Sequence, residues 1–342
     1  MPNRLALLFL CSCVVLGLTL APGLGAAREP LVVVVAQNQG TETTDFIIPF
    51  SILSRAGVRV EAVATENGPV LLHPGDMTLD VGTSLAQFDA RHPEGADVVI
   101  VPAVMEPDDV ALNSWIERQA GHGALMMSIC DGAFVLAHAG LLDDRKATAH
   151  WYSRKTLSKE FPRVTWVDDR RYVEGESLIT TTGVSASIPA SLSLVERLAG
   201  TERALAVARD LDQLDYGPRH DSDAFGLKAR HVGIAVWNWM RFWRHERVGI
   251  EIEDGVDELR LALMVDALAR TWTSQPSLLS STSSVKTRAG LIVETPPAKI
   301  RRRETLPAPG LPPVDATLEA IEVQYGRATA NWVALQLEYA RP

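Results

Sequence analysis

The run Leu31-Val32-Val33-Val34-Val35-Ala36 is apolar at every position and β-branched at its four valines. A strand with one wet face alternates apolar and polar residues. A run without alternation belongs to a strand buried on both sides, the condition of strands in a parallel sheet covered by helices. The segments that follow keep to this scheme. "DFIIPFSILSRAG" (45–57) has helical spacing and a terminal Gly, and "VRVEAVA" (58–64) reads as a second strand. "DVVIVPA" (97–103) reads as a third strand, "PDDVALNSWIERQAGHG" (107–123) as a helix, and "ALMMSI" (124–129) as a fourth strand. This alternation predicts an α/β fold, a mostly parallel sheet with helices on both faces. Ligands of such folds sit beyond the carboxyl ends of the strands.

The first 27 residues look different. Arg4 precedes an apolar stretch from Leu5 to Leu20, and Gly25-Ala26-Ala27 offers small residues for cleavage. This is the pattern of a secretory signal peptide over 1–27, which makes the protein exported, periplasmic or extracellular. An uncleaved Leu5–Leu24 would be long enough to anchor the chain in a bilayer instead. Cys11 and Cys13 leave with the leader, so Cys130 is the one cysteine of the mature chain and no internal disulfide can form. The mature chain carries 32 basic against 42 acidic residues. An acidic balance argues against nucleic acid, which needs a basic footprint.

Cys130 lies where "ALMMSI" gives way to "DGAFVLAHAGLL" (131–142), a stretch of helical spacing. It thus occupies a sharp strand-to-helix turn, with Gly132 letting the helix pass close to the strand. The helix N-terminus favours thiolate there, while Asp131 works against it. A lone buried cysteine is also an ordinary small hydrophobe, and the neighbouring residues decide between the two readings.

"SICDGAFVLAHAGLLDDRKATAHW" (128–151) resembles the nucleophile turn, helix and following histidine of the ThiJ/PfpI family, in the class I glutamine amidotransferase-like superfamily. "GTETTDFIIPFSILSRAG" (40–57) is similar to that family's first loop and helix, and "LITTTGVSASIPASLSLVERLAG" (178–200) to its closing strand and helix. The resemblance implies a flavodoxin-like fold over 28–200, a nucleophile at Cys130, an accompanying histidine at His150 and a thiol-bonding acid at Asp45. It also implies oxyanion contacts from the backbone N–H groups of Asp131, Ala103 and Val104. Family members commonly carry glycines after the third strand, where this chain has Pro102-Ala103-Val104-Met105, so bulkier side chains narrow the approach. Pro189 stands where related sequences often have an acidic residue.

Beyond Gly200 the resemblance ends. Residues 201–250 read as a helical connector, in which "HVGIAVWNWMRFWRHERVGI" (231–250) places Arg241, Arg244 and Arg247 on one helix face and buries Val236, Trp239, Met240 and Trp243. Residues 251–342 read as a smaller α/β unit. Within it, "DGVDELRLALMVDALART" (254–271) echoes "QGTETTDFIIPFSILSRA" (39–56): Gly255 falls on Gly40, Asp257 on Glu42 and Arg270 on Arg55, but Arg260 falls on Asp45. This is a half-repeat without an active-site acid. The chain closes in an amphipathic helix over 316–339 that breaks near Gly326.

The resemblance implies a cysteine-dependent hydrolase, hydratase or lyase acting on an isonitrile, an amide or a reactive carbonyl. The alternatives are a ligand-binding or thiol redox-sensing module and a relic whose second unit does the binding. No close-spaced His/Cys cluster points to a metal, and no glycine-rich phosphate loop points to a nucleotide cofactor. A small molecule is the expected partner, nucleic acid is not, membrane contact is confined to the leader, and a homodimer is left open.

Overall fold

The computed structural model describes residues 28–241, 243 and 245–341; the leader expected over 1–27 lies outside them. In chain order the elements are β1 (Leu31–Ala36), β2 (Thr41–Glu42), α1 (Thr43–Arg55), β3 (Arg59–Ala64), β4 (Pro69–His73), β5 (Met77–Asp80), α2 (Leu85–Arg91), β6 (Val98–Val101), α3 (Val110–Gly121) and β7 (Leu125–Ser128). Next come α4 (Gly132–His138), β8 (Lys146–Ala147), α5 (Arg154–Glu160), β9 (Thr165–Trp166), β10 (Tyr172–Glu174), β11 (Leu178–Thr181), α6 (Ser187–Ala199), α7 (Thr201–Asp210) and α8 (Ala229–Met240). The C-terminal part holds β12 (Glu246–Glu251), α9 (Glu258–Arg270), β13 (Ser274–Leu279), β14 (Ser284–Lys286), β15 (Ile292–Glu294), β16 (Arg302–Glu304), α10 (Pro313–Tyr325) and α11 (Arg327–Gln336).

The main sheet has the order β10-β11-β7-β6-β1-β3, with only the β10–β11 pair antiparallel. All six residues of β1 are fully buried. Val32, Val34 and Ala36 join one apolar cluster with α1 and α6, while Leu31, Val33 and Val35 join another with α2, α3 and α4. Helices on both faces therefore account for the unbroken apolar run. The strand order reverses between β1 and β6, and in open α/β sheets such a reversal opens a crevice at the carboxyl ends of the strands.

The C-terminal part repeats the opening of the chain at a constant shift of 215 residues: Leu31 corresponds to Glu246, Thr43 to Glu258 and Arg59 to Ser274. The paired elements have equal lengths, 6 residues for β1 and β12, 13 for α1 and α9, and 6 for β3 and β13. Each helix is capped by an acidic side chain, Glu42 accepting from the Asp45 N–H and Asp257 from those of Leu259 and Arg260. The helices α1 and α9 pack on each other. Arg55 Nη2 reaches Asp257 Oδ1 at 2.7 Å and Arg270 Nη2 reaches Glu42 Oε1 at 2.8 Å, so the last turn of each helix is tied to the cap of the other. Strand β15 pairs antiparallel with β5, joining both parts in one sheet of order β14-β15-β5-β4-β2.

Two expectations for this region are corrected. The helix expected over 231–250 stops at Met240, so Arg241 and Arg247 do not share a helix face, and strand structure begins at Glu246 instead of 251. The face of α8 is also reversed. Val236, Trp239, Met240 and Trp243 are exposed, whereas Ala235 and Asn238 are buried. Asn238 Nδ2 donates to Thr271 O at 3.0 Å, and Ala235 packs near Trp332 and Leu335. A small and a polar side chain thus hold the helix down while its aromatic residues face outward. The closing helix does break at Gly326, which adopts φ 82° between α10 and α11.

Candidate active site

Residue 130 follows a fully buried strand and precedes α4, and its backbone sits at φ 53°. That left-handed conformation is unusual for any side chain but glycine, and such strain at a turn exposes the side chain toward a crevice. Gly132 makes the turn feasible. A Cβ at that position would lie 2.1 Å from the Val101 carbonyl oxygen, so α4 starts against the end of β6 with no room for a methyl group. The Cys130 N–H donates to Thr181 Oγ1 at 3.2 Å, fixing the turn to β11.

Three more segments converge on the thiol. Asp45, in the first turn of α1, is fully buried; its Oδ2 accepts from the Ala103 N–H at 3.2 Å and its Oδ1 has no hydrogen-bond partner. Asp131 Oδ2 accepts from Ser153 Oγ at 2.7 Å. His150 lies on the loop after β8, which the Thr148 N–H ties to Thr180 Oγ1 at 2.8 Å. A sulfur, a carboxylate oxygen and a ring nitrogen of Cys130, Asp131 and His150 all lie within 4.8 Å of one another. Nε2 of His150 faces the Gln336 carbonyl at 3.2 Å. A carbonyl can only accept, so Nε2 is the donor in that contact.

The electrostatics differ from the expectation of a ready thiolate. Burial raises the Cys130 thiol well above its ordinary value, and the charges of Asp45, Asp131 and Glu42 raise it further. The Asp131 N–H bonds the sulfur and works the other way, as a helix start should, but burial and three carboxyls outweigh one amide. Asp45 is itself raised well above a usual carboxyl, by burial first and by Glu42 second. Asp45 thus holds its proton more tightly than a usual carboxyl, and its charge, once formed, opposes the thiolate. Burial also raises Asp131, while His150 draws it back.

Residues 31–197 match the DJ-1/PfpI family. This segment is a domain of that family. Drosophila melanogaster Protein dj-1beta is 28% identical over 177 residues, covering 50% of this chain and 91% of that protein. Pseudomonas putida isonitrile hydratase is 32% identical over 133 residues, 37% of this chain and 55% of the relative. The HTH-type transcriptional regulator CdhR of Pseudomonas aeruginosa is 28% identical over 176 residues, 51% of this chain and 50% of the regulator. The chain thus spans about half the length of the hydratase and of the regulator. The crystal structure of Drosophila melanogaster DJ-1beta superposes with a TM-score of 0.49 at 26% identity, covering 54% of this chain and 97% of that one.

Within this DJ-1/PfpI site, the residues expected from the sequence are brought together, with one change among the amides. Ala103 spends its N–H on Asp45, so it is not aimed at an oxyanion; Asp131 directs its own at the sulfur; Val104 lines a cavity and forms a bridge with Thr41. The fold also builds a thiol, carboxylate and imidazole group that sequence spacing did not suggest, the only one of its kind among the described residues. The same three groups could ligate a soft divalent ion.

The outer half of the site has little signature in the sequence. A cavity of about 400 Å³ is lined by Glu42, His73, Ala103, Val104, Arg270 and Trp272, with Gln336 closing one side. Cys130 is 7% exposed and does not line it; Glu42, which does, is near enough for its charge to act on the thiol. Glu338, just past α11, is buried; its Oε2 accepts from the Gly183 N–H at 2.8 Å and the Trp151 N–H at 3.2 Å, and its Oε1 faces His220 Nε2 at 3.0 Å. The C-terminus thereby clamps the His150 loop. For Arg270 a signal existed, its alignment on Arg55; for Gln336 and Glu338 no local pattern marks a role.

Proposed function

We propose that this protein is a cysteine-dependent hydratase or hydrolase of small electrophiles, with an isonitrile as the leading substrate class. The observation that carries the reading is the buried turn in which Cys130, strained at φ 53°, meets Asp131 and His150 within 4.8 Å. The hydratase relative supports the substrate class. In the reaction, His150 takes the thiol proton as the sulfur attacks the terminal carbon of the isonitrile, and an acid, Asp45 or the imidazolium so formed, delivers a proton to that carbon. Water then adds to the resulting thioimidate, assisted by the imidazole as base. The C–S bond breaks, the proton returns to the acid, and a formamide leaves; isonitrile and water together account for every atom of the product.

The raised thiol favours turnover over redox sensing. A sensor must hold a resting thiolate that meets oxidants in solution, whereas here the sulfur is buried and protonated at rest. A catalyst can lose that proton after substrate has entered. The family match ends at residue 197, and the regulator CdhR matches 51% of this chain. Beyond residue 197 this chain carries β12-α9-β13, an alternation unlike paired helix-turn-helix elements, which supports a small molecule over nucleic acid as the ligand. On the strength of the leader expected over 1–27, we place the activity outside the cytoplasm.

The test is formamide production from small isonitriles by the wild-type protein and Cys130→Ser, with circular dichroism as a check on folding. Turnover that depends on Cys130 in a folded variant supports the reading. Equal turnover in both would remove the thiol from the mechanism.

A further inference from the structure

The 215-residue repeat has features that folding alone does not require. Its elements stop at β15, well short of a counterpart to Cys130, so the second copy has a helix and a hairpin but no reactive group of its own. In place of a site it has a surface, and the end of α9 forms one wall of the cavity beside Glu42. Arg270 leaves this wall to bond Glu42 Oε1 at 2.8 Å, while its Nε donates to Asp266 Oδ2 at 2.7 Å. Glu42 in turn caps the helix that carries Asp45, accepting from the Asp45 N–H at 2.6 Å. The Arg270 charge also acts directly on both Asp45 and Cys130.

Two residues further on stands Trp272, at φ 61°. The first copy has Gly57 at the matching place, φ 69°, which is the relaxed choice for a left-handed position after a helix. A tryptophan there costs about 1–2 kcal/mol of backbone strain. The residue is 46% exposed; its ring meets that of Trp332 edge-on, with centroids 5.3 Å apart, and it lines the cavity. A bulky residue kept at a strained position, at the mouth of a site, is placed by function more than by stability.

We propose that the half-repeat is the resident second half of the active site: Arg270 is a positioning residue that acts on the Cys130–Asp45 pair through Glu42, and Trp272 sets the width of the entrance. The proposal rests on Cys130 being the reactive thiol.

The near-symmetry supplies an internal control. Arg55 is the counterpart of Arg270 and makes the mirror-image contact to Asp257, at the end of the molecule that has no thiol. Alkylation of Cys130 is measured across pH with iodoacetamide and with the bulkier N-ethylmaleimide, in the chain from Arg28 onward, where it is the one thiol. In Arg270→Ala the uncompensated Glu42 raises the thiol, and alkylation at pH 8 slows about tenfold, the effect of one close charge on a titrating group. Arg270→Lys keeps the charge and stays within about threefold of the parent. Arg55→Ala removes an equivalent ion pair and changes the rate less than about twofold. Trp272→Gly speeds N-ethylmaleimide more than iodoacetamide, by roughly fivefold against twofold.

Equal effects of Arg55→Ala and Arg270→Ala would reduce the pair to a structural tie and overturn the role of Arg270. If Arg270→Ala does not fold, an alkylation profile of Arg270→Lys displaced as far as that of a neutral variant, Arg270→Gln, does the same. Unchanged discrimination between the two reagents in Trp272→Gly overturns the entrance. Because alkylation needs no substrate, failure of the isonitrile reading shows in turnover and leaves these readouts intact.

Discussion

Gly132→Ala should be among the most damaging single-methyl changes in this chain. The new Cβ would stand 2.1 Å from the Val101 carbonyl oxygen and 2.9 Å from that of Pro102, where methyl carbons essentially never come below 3.0 Å. Both obstacles are backbone, at the end of β6, and β6 cannot yield because it is hydrogen-bonded to β1 on one side and β7 on the other. The start of α4 must therefore back away by about 1 Å, against a well-packed layer, at a cost of about 3 kcal/mol. For a chain of this size that lowers Tm by roughly 4–5 °C. The shift also drags the Asp131 N–H from the sulfur, so alkylation of Cys130 slows in the fraction that stays folded. Gly233→Ala is the matched control: it lies inside α8 with nothing within 4 Å of where its methyl group would stand, and it should gain about 0.5–1 kcal/mol from helix propensity. Thermal unfolding of both variants decides the matter. A Gly132→Ala protein melting within about 2 °C of the parent would refute the close approach of α4 to β6 on which the turn geometry depends.

Asp45→Asn removes the largest charge acting on the thiol, so the pH profile of Cys130 alkylation should move to lower pH; a move upward would show that the carboxyl stabilises the thiolate instead. Glu338→Ala leaves the Gly183 and Trp151 N–H groups without their acceptor and should cost about 3 kcal/mol in urea unfolding. Burial pushes Asp266 up to about 8. Its folded pKa lies above the unfolded value of about 4, so its contribution to stability is in place below that pH and is lost as pH rises toward 8. Unfolding free energies from pH 4 to 9 should accordingly fall less steeply in Asp266→Asn than in the parent, and parallel curves would argue against a buried, proton-binding carboxyl.

The main sheet was legible because its strands declare themselves: Leu31–Ala36 can only be buried on both faces, and it is. The turn at Cys130 was legible for a similar reason, an apolar strand meeting Asp-Gly and then a helical period. The face of α8 was not. Periodicity tells which residues share a side of a helix, and the larger apolar side was expected inward, but Asn238 and Ala235 found better partners than the tryptophans did. The hairpin β4–β5 also went unread, although Pro74-Gly75 marks its turn, because its strands are short and acquire meaning only when β15 pairs with them. In the site, Cys130, Asp45 and His150 came from a family pattern, whereas Glu338 binds the loop of His150 from the far end of the chain, a contact that no local signal encodes.

The pairing of β5 with β15 has a consequence for how the molecule is made. Asp80 leaves the ribosome more than two hundred residues before its partner Ile292, a delay of roughly 10–40 s at ordinary rates of synthesis. Throughout that interval β5 is an open edge, with unmatched backbone groups able to pair with any passing strand. Val70, Leu72 and Leu79, all fully buried in the finished protein, belong to the same unfinished hairpin. Fragments ending near residue 200 would keep that edge permanently, so the α/β unit expressed without its C-terminal part should aggregate although Cys130, Asp45 and His150 are all present. Solubility of the first half is thus a property conferred by the last.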